Sequence, residues 1–241
     1  VANRYLNGTK RMGHWRDTHV MLKGSAATSS QIIFMADWFF VSKEILKGKK
    51  YFKDLNPGGG KLVQVVHSGP DSDYESIGQA YFSAIASAHE KVYITTPYLI
   101  PTSEITFAMK TAALGGIDIR IILPGKSDAI TPKWSTESFI EELLEAGVKV
   151  YFYQAGFNHS KTMVVDSIIA SIGSANMDFR SLETNFEVNA LIYDDKTALE
   201  LEQQFMQDLK QSQEVNLKDW RKRHWLRKTK ESFARLLSPM L

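Results

Sequence analysis

The 241-residue sequence contains no cysteine. That excludes disulfides and thiolate metal sites, and says little about compartment. Long apolar runs are missing too. The longest, such as QIIFMADWFFV, meets a charge within about ten residues, too few for a helix to cross a bilayer. No secretory leader is visible, and the chain opens on Val1 rather than Met, so we expect VANRYLNG to be an internal start. Internal repeats are absent. Strong overall charge is absent as well: 29 basic residues stand against 27 acidic ones, a net of +2.

What is present is an ordinary globular composition, 44% hydrophobic, in a chain long enough for one large core or two small ones. The near-neutral total hides an asymmetry. Residues 216–241 hold eight basic side chains against Asp219 and Glu231, a local +6 that leaves −4 for the rest. Trp220, Trp225, Leu226, Phe233, Leu236 and Leu237 are interleaved with those charges. A helix of this kind suits an anionic membrane surface. It equally suits a terminal helix anchored by its tryptophans on its own domain, with a solvated basic face. A nucleic-acid backbone is a third partner, which fits less well.

From residue 61 onward, strand and helix patterns alternate. KLVQVV, KVYITTPYLI, IDIRIIL and VKVYFYQ are β-rich. Between them YESIGQAYFSAIASAHE, SEITFAMKTAALGG and WSTESFIEELLEAG carry apolar residues at helical spacing. We expect Asp73 or Ser72 to cap the first of these helices, and Asp194 or Asp195 the last, DKTALELEQQFMQDLKQSQ. The rhythm changes after residue 155. SKTMVVD and SIIASIG form a hairpin cornered at Asp166-Ser167, SANMDFRSLE a short helix and NFEVNALIY a strand. The pattern implies an α/β fold, a mixed and largely parallel β-sheet with helices on both faces. The first sixty residues do not complete a domain. They offer a helix near 25–46, a short strand near His19–Leu22 and a linker at NPGGG.

The stretch FNHSKTMVVDSIIASIGSAN carries the chemistry. His159 and Lys161 are two apart, so on a strand they share a face. Gly173 allows a tight turn or close approach before Ser174 and Asn176. Lysine, serine and asparagine supply a cation and hydrogen-bonding groups suited to a phosphate. Histidine adds a group that attacks phosphorus or moves a proton near neutral pH. Its second nitrogen needs a carboxylate to hold it, and Glu187, a charge inside an apolar strand, is the candidate. The other reading of Glu187 is an exposed edge-strand residue. Asp166, at the hairpin corner, suits a structural role.

His159, Lys161, Asp166, Gly173, Ser174 and Asn176 together fill H-x-K-x4-D-x6-G-S-x-N. This resembles the signature of the phospholipase D superfamily. TTPYLIP, ILPGKSD, GSANMDFRS, NFEVNALIYD, ARLLSPML and HWRDTHVMLKG extend the likeness to the C-terminal half of bacterial cardiolipin synthases. The resemblance implies a phosphatidyltransferase that joins two phosphatidylglycerols and releases glycerol, through a phosphatidyl-histidine and without metal or cofactor. It implies a catalytic set of His159, Lys161, Asp166 and Glu187, with Lys161, Ser174 and Asn176 on the phosphate. It also implies two motifs per enzyme, one per lobe, with His159 as proton donor and then acceptor.

Only one complete motif is present: His14, His19, His67 and His224 lack a lysine two residues on, and His89, which has Lys91 there, has Thr96 where the motif's aspartate would fall. We therefore expect residues 1–60 to be the remnant of a first lobe, 61–215 the full second lobe, and 216–241 a basic amphipathic tail. The nucleophile and the family's membrane helices would lie in a missing N-terminal half, leaving this chain inactive alone. Expected partners are phosphatidylglycerol and anionic lipid at the cytoplasmic face of a bacterial membrane. Two alternatives remain: a homodimeric single-motif nuclease, or a non-catalytic lipid-binding domain. The acidic body outside the tail disfavours nucleic acid.

Overall fold

Eight strands form the central sheet in the computed structural model, which describes residues 3, 5, 8–52, 60–127 and 129–238. In chain order the strands are β1 (His14–Arg16), β2 (Leu62–Ser68), β3 (Lys91–Thr95), β4 (Leu99–Ile100), β5 (Asp118–Pro124) and β6 (Lys149–Tyr153). Then come β7 (Gly156–Asn158), β8 (Thr162–Val165), β9 (Ile169–Gly173), β10 (Met177–Asp178), β11 (Glu187–Tyr193) and β12 (Ser212–Glu214). The main sheet runs β12-β6-β5-β3-β8-β9-β11-β2, while β1–β7 and β10–β4 make two short parallel ladders beside it.

The sheet is mixed, as the sequence pattern predicts. Its parallel contacts are confined to β3–β5 and β5–β6. Every other neighbouring pair is antiparallel. Even so, β2, β3, β5, β6 and β9 point one way and β8, β11 and β12 the other, as those pairings require.

Helices cover both faces, which is why the strands are apolar at consecutive positions rather than alternate ones. Val92, Ile94, Ile121, Met163 and Val165 point to one side, against α2 (Ser76–Ala86), α3 (Ser103–Leu114) and α4 (Ile130–Glu145). Tyr93, Ile122, Val164 and Ile172 point to the other, against α5 (Asp195–Lys210), which contributes Ala198, Leu201 and Phe205. Asp194 caps α5 by accepting from Thr197 N–H at 2.8 Å, as expected.

Several boundaries move. Residues 19–22 are not a strand. The extended segment lies at His14–Arg16, fixed by its ladder with β7. Helix α2 starts at Ser76 with Glu75 in the capping position and no side-chain cap, so neither Ser72 nor Asp73 serves. Helix α4 begins at Ile130, earlier than predicted, because Pro132 falls in its first turn where no N–H partner is lost. SANMDFRSLE splits into β10 and a single π turn at Arg180–Thr184. The NPGGG linker lies outside the described residues except for Gly60.

The remaining helices are α1 (Ser25–Ser42), α6 (Leu217–Arg221) and α7 (Trp225–Leu236). Helix α1 ends short of the expected 46, where Lys43 turns left-handed at φ 58°. None of its residues is buried, and Ile32, Phe34, Trp38, Phe39, Phe40 and Val41 are all exposed. An exposed cluster of large apolar side chains of this kind marks a surface suited to a partner.

Candidate active site

The motif sits where β7 hands over to β8, beside the N-terminal strand. β1 runs parallel to β7 in the register Arg16↔Asn158, and His159 N–H donates to Arg16 O at 2.7 Å. Gly156 makes this approach possible, since a Cβ there would sit 2.1 Å from His14 O. The next residue after β1, Asp17, is thereby placed beside the motif. Its Oδ2 lies 3.3 Å from His159 Nδ1.

Lys161 is buried and aims back at the same ring. Its Nζ lies 3.0 Å from both imidazole nitrogens and donates to His159 O at 2.7 Å. Trp15 and Phe157 flank the imidazole, with ring centroids 5.1 and 5.7 Å away. Burial raises the Asp17 carboxyl, but the hydrogen bonds from His159 and Thr18 N–H and the nearby charges outweigh it, and the net shift is downward. Asp17 therefore stays ionised against the ring. Arg16 fixes the segment from below, through Thr18 Oγ1 at 3.1 Å and the Asp208 carboxylate at 3.2 Å.

Ser174 and Asn176 enter from the other end of the hairpin. Gly173 must be glycine because a Cβ would stand 2.1 Å from Asn189 Oδ1. Buried Asn189 accepts from Ala175 N–H at 3.2 Å and donates to Tyr81 Oη at 2.6 Å, locking the turn onto β11. Ser174 Oγ accepts from Val188 N–H at 3.0 Å. Asn176 is followed by β10, which lies along β4 and is pinned by Met177 N–H donating to Thr96 Oγ1 at 3.1 Å. The TTPYLIP segment thus acts as the support for the motif's asparagine. Asn176 Oδ1 is buried and has no hydrogen-bond donor within reach among the described residues.

Asp166 stands at the opposite end of β8. Asp166 and Ser167 both adopt left-handed backbone, φ 51° and 56°, forming the tight hairpin corner. The Asp166 carboxylate accepts from the backbone N–H groups of His89, Glu90 and Lys91 at 2.8, 2.9 and 2.8 Å. Burial alone would raise its carboxyl, and these three donors bring it below the ordinary range. Its work in this structure is to tie the hairpin to the start of β3.

Glu187 lies on β11 near Ser174, but its Oε1 accepts from Ser181 Oγ at 3.3 Å and Asn185 Nδ2 at 3.5 Å, and not from the imidazole. Burial and the Asp178 carboxylate push its carboxyl up. The carboxylate on His159 in this structure is Asp17. Sequence spacing could not place it there, because Asp17 and His159 are 142 residues apart and meet only through the β1–β7 ladder.

Comparison with known proteins now bears on this geometry. Residues 81–209 match the family model described as cardiolipin synthase, PLD-like domain. The chain belongs to that family. It is 45% identical over 243 aligned residues to cardiolipin synthase 2 of Bacillus anthracis, covering 100% of this chain and 47% of that protein. Against cardiolipin synthase of Staphylococcus aureus it is 44% identical, covering 100% and 49%. The chain thus spans about half the length of these relatives.

Two solved structures share the fold. The phospholipase D family member Nuc from Salmonella typhimurium has a TM-score of 0.54 at 20% identity, covering 65% of this chain and 99% of that one. Phosphatidylserine synthase from Haemophilus influenzae has 0.57 at 17%, covering 74% and 48%. In this PLD-like chain the hairpin and its two flanking ladders carry all of the motif.

Proposed function

We propose that this PLD-like chain supplies one half of the active site of a phosphatidyltransferase that converts two phosphatidylglycerols to cardiolipin and glycerol. The observation that carries the reading is the convergence of His159, Lys161 and Asp17, one imidazole held between a fixed cation and a fixed carboxylate. Lys161, Ser174 and Asn176 hold the phosphodiester. His159 gives a proton to the departing glycerol oxygen as the first phosphorus–oxygen bond breaks. It takes one from the incoming phosphatidylglycerol hydroxyl as the second bond forms. Asp17 holds the ring and balances its charge, in the way a carboxylate serves an imidazole elsewhere. Glu187, which the sequence offers for that task, becomes the orienter only if its carboxylate leaves Ser181 and Asn185.

The attacking nucleophile, a second histidine, belongs to a complementary half, and the phosphatidyl group is carried on it between the two steps. Two features support this. The chain holds a single motif and matches about half the length of its relatives. Helix α1, with Ile32, Phe34, Trp38, Phe39 and Val41 exposed, offers a surface on which such a half would pack. The enzyme acts at the cytoplasmic face of a bacterial membrane. Among the described residues, no helix is long and apolar enough to cross it.

The test presents the chain with radiolabelled phosphatidylglycerol and, separately, with DNA, with and without the complementary half. Cardiolipin formed only in the assembled state supports the reading. Hydrolysis of DNA by a dimer of this chain replaces it with the nuclease alternative.

A further inference from the structure

The C-terminal helix α7 is turned inside out. Its charged side faces the protein, where Arg227 meets Glu137 at 2.8 Å and Arg235 meets Glu142 on α4. Buried Glu231 pairs with Arg223 at 2.8 Å, whose guanidinium stacks 3.7 Å above the Trp220 ring. Its apolar side faces out. Trp225 is 66% exposed, Leu226 49%, Phe233 65% and Leu236 77%, all within one arc of the helix. The basic charge that makes the tail look like a membrane-binding segment is thus largely spent on α4. The face left open is the greasy one.

From this we infer that α7 docks a lipid bilayer through Trp225, Leu226, Phe233 and Leu236, lying flat with its charged side toward the protein. Membrane lipid is chosen as occupant because of the proposed substrate, and so the inference rests on that reading. Two observations favour it over a second copy of the chain. The four side chains expose roughly 500 Å², well under the ~800 Å² per partner of a stable protein interface. Lys230 borders the face one turn on from Leu226, its Nζ over the Trp134 ring, so cationic charge remains beside the place where anionic headgroups would lie.

Tryptophan emission of the full chain, titrated with vesicles carrying bromine-labelled acyl chains, tests this. Phosphatidylglycerol vesicles should quench it, phosphatidylcholine vesicles more weakly, and Trp225→Phe should remove most of the quenching. The triple variant Leu226→Gln/Phe233→Gln/Leu236→Gln should keep the wild-type circular dichroism and lose about tenfold or more in vesicle affinity. Quenching that survives Trp225→Phe and disappears in Trp38→Phe would assign docking to α1 and overturn the inference. So would a triple variant that binds like wild type, a wild-type chain that ignores all vesicles, or a dimer dissolved by the triple substitution. No step measures turnover. Cardiolipin formed from detergent-dispersed substrate by the assembled triple variant would leave the proposed reaction standing whichever way docking falls.

Discussion

Asp17 Oδ2 lies 3.3 Å from His159 Nδ1, across 142 residues of chain. A strand of only three residues, β1, brings them together by laying Arg16 against Asn158. The motif histidine is therefore positioned by a segment far from it in sequence. Replacing the carboxylate by an amide keeps the shape and removes the charge. Asp17→Asn in the assembled enzyme should lower turnover by about a hundredfold with little change in KM, because it acts through the imidazole. Glu187→Gln in the same assay should cost far less. The reverse ranking would return the orienting role to Glu187.

Asp17 also leaves a mark on stability. Its folded pKa lies below the ordinary 3.8, so its contribution is present above that value and fades as pH falls through the depressed one. The melting temperature of wild type should drop more steeply than that of Asp17→Asn in acid below about pH 4. Parallel curves would show that the pair carries no such linkage.

Asp166 is predicted to matter for folding rather than for a chemical step. Asp166→Ala leaves three backbone donors of the His89–Lys91 turn without their acceptor and should cost about 2–4 kcal/mol by denaturant unfolding. Turnover per folded molecule should stay close to wild type. A folded Asp166→Ala protein lacking turnover would place the residue in the chemistry.

Glu187 should behave in the opposite sense to Asp17. Burial holds its folded pKa above the ordinary 4.5, so the ionised form is penalised in the native state. The penalty is absent below the unfolded value and grows as pH rises through the folded one. Glu187→Gln should therefore match or exceed wild-type melting temperature near neutrality and lose that advantage near pH 4. A clear destabilisation at neutral pH would mean that a partner compensates the charge.

The tail offers a test of its docking on α4. Glu231→Gln breaks a buried ion pair and leaves Arg223 uncompensated, which should destabilise by about 3 kcal/mol. A change of a few tenths would indicate that α7 is not held as described.

Local patterns were legible and distant ones were not. The hairpin at Asp166-Ser167, the cap at Asp194 and the phosphate-suited set His159, Lys161, Ser174 and Asn176 all follow from residue types at short spacing. The partner of His159 did not, because a parallel ladder between residues 14–16 and 156–158 has no signature in either segment. Nor did Asn189, the buried amide that makes Gly173 obligatory. It looks like any polar residue in a strand until the turn is folded over it. The tail was ambiguous for a physical reason. Its sequence fixes an amphipathic helix, but which face turns inward depends on the acidic row Glu137, Glu141, Glu142 and Glu145 of α4, a tertiary fact.

The most direct measurement is cardiolipin formation from radiolabelled phosphatidylglycerol by this chain combined with the complementary half, as wild type and as His159→Ala. The account predicts product from the assembled wild type, none from either half alone, and loss of product with His159→Ala. Product from the isolated chain as a monomer, or turnover that survives His159→Ala in the assembly, would contradict it.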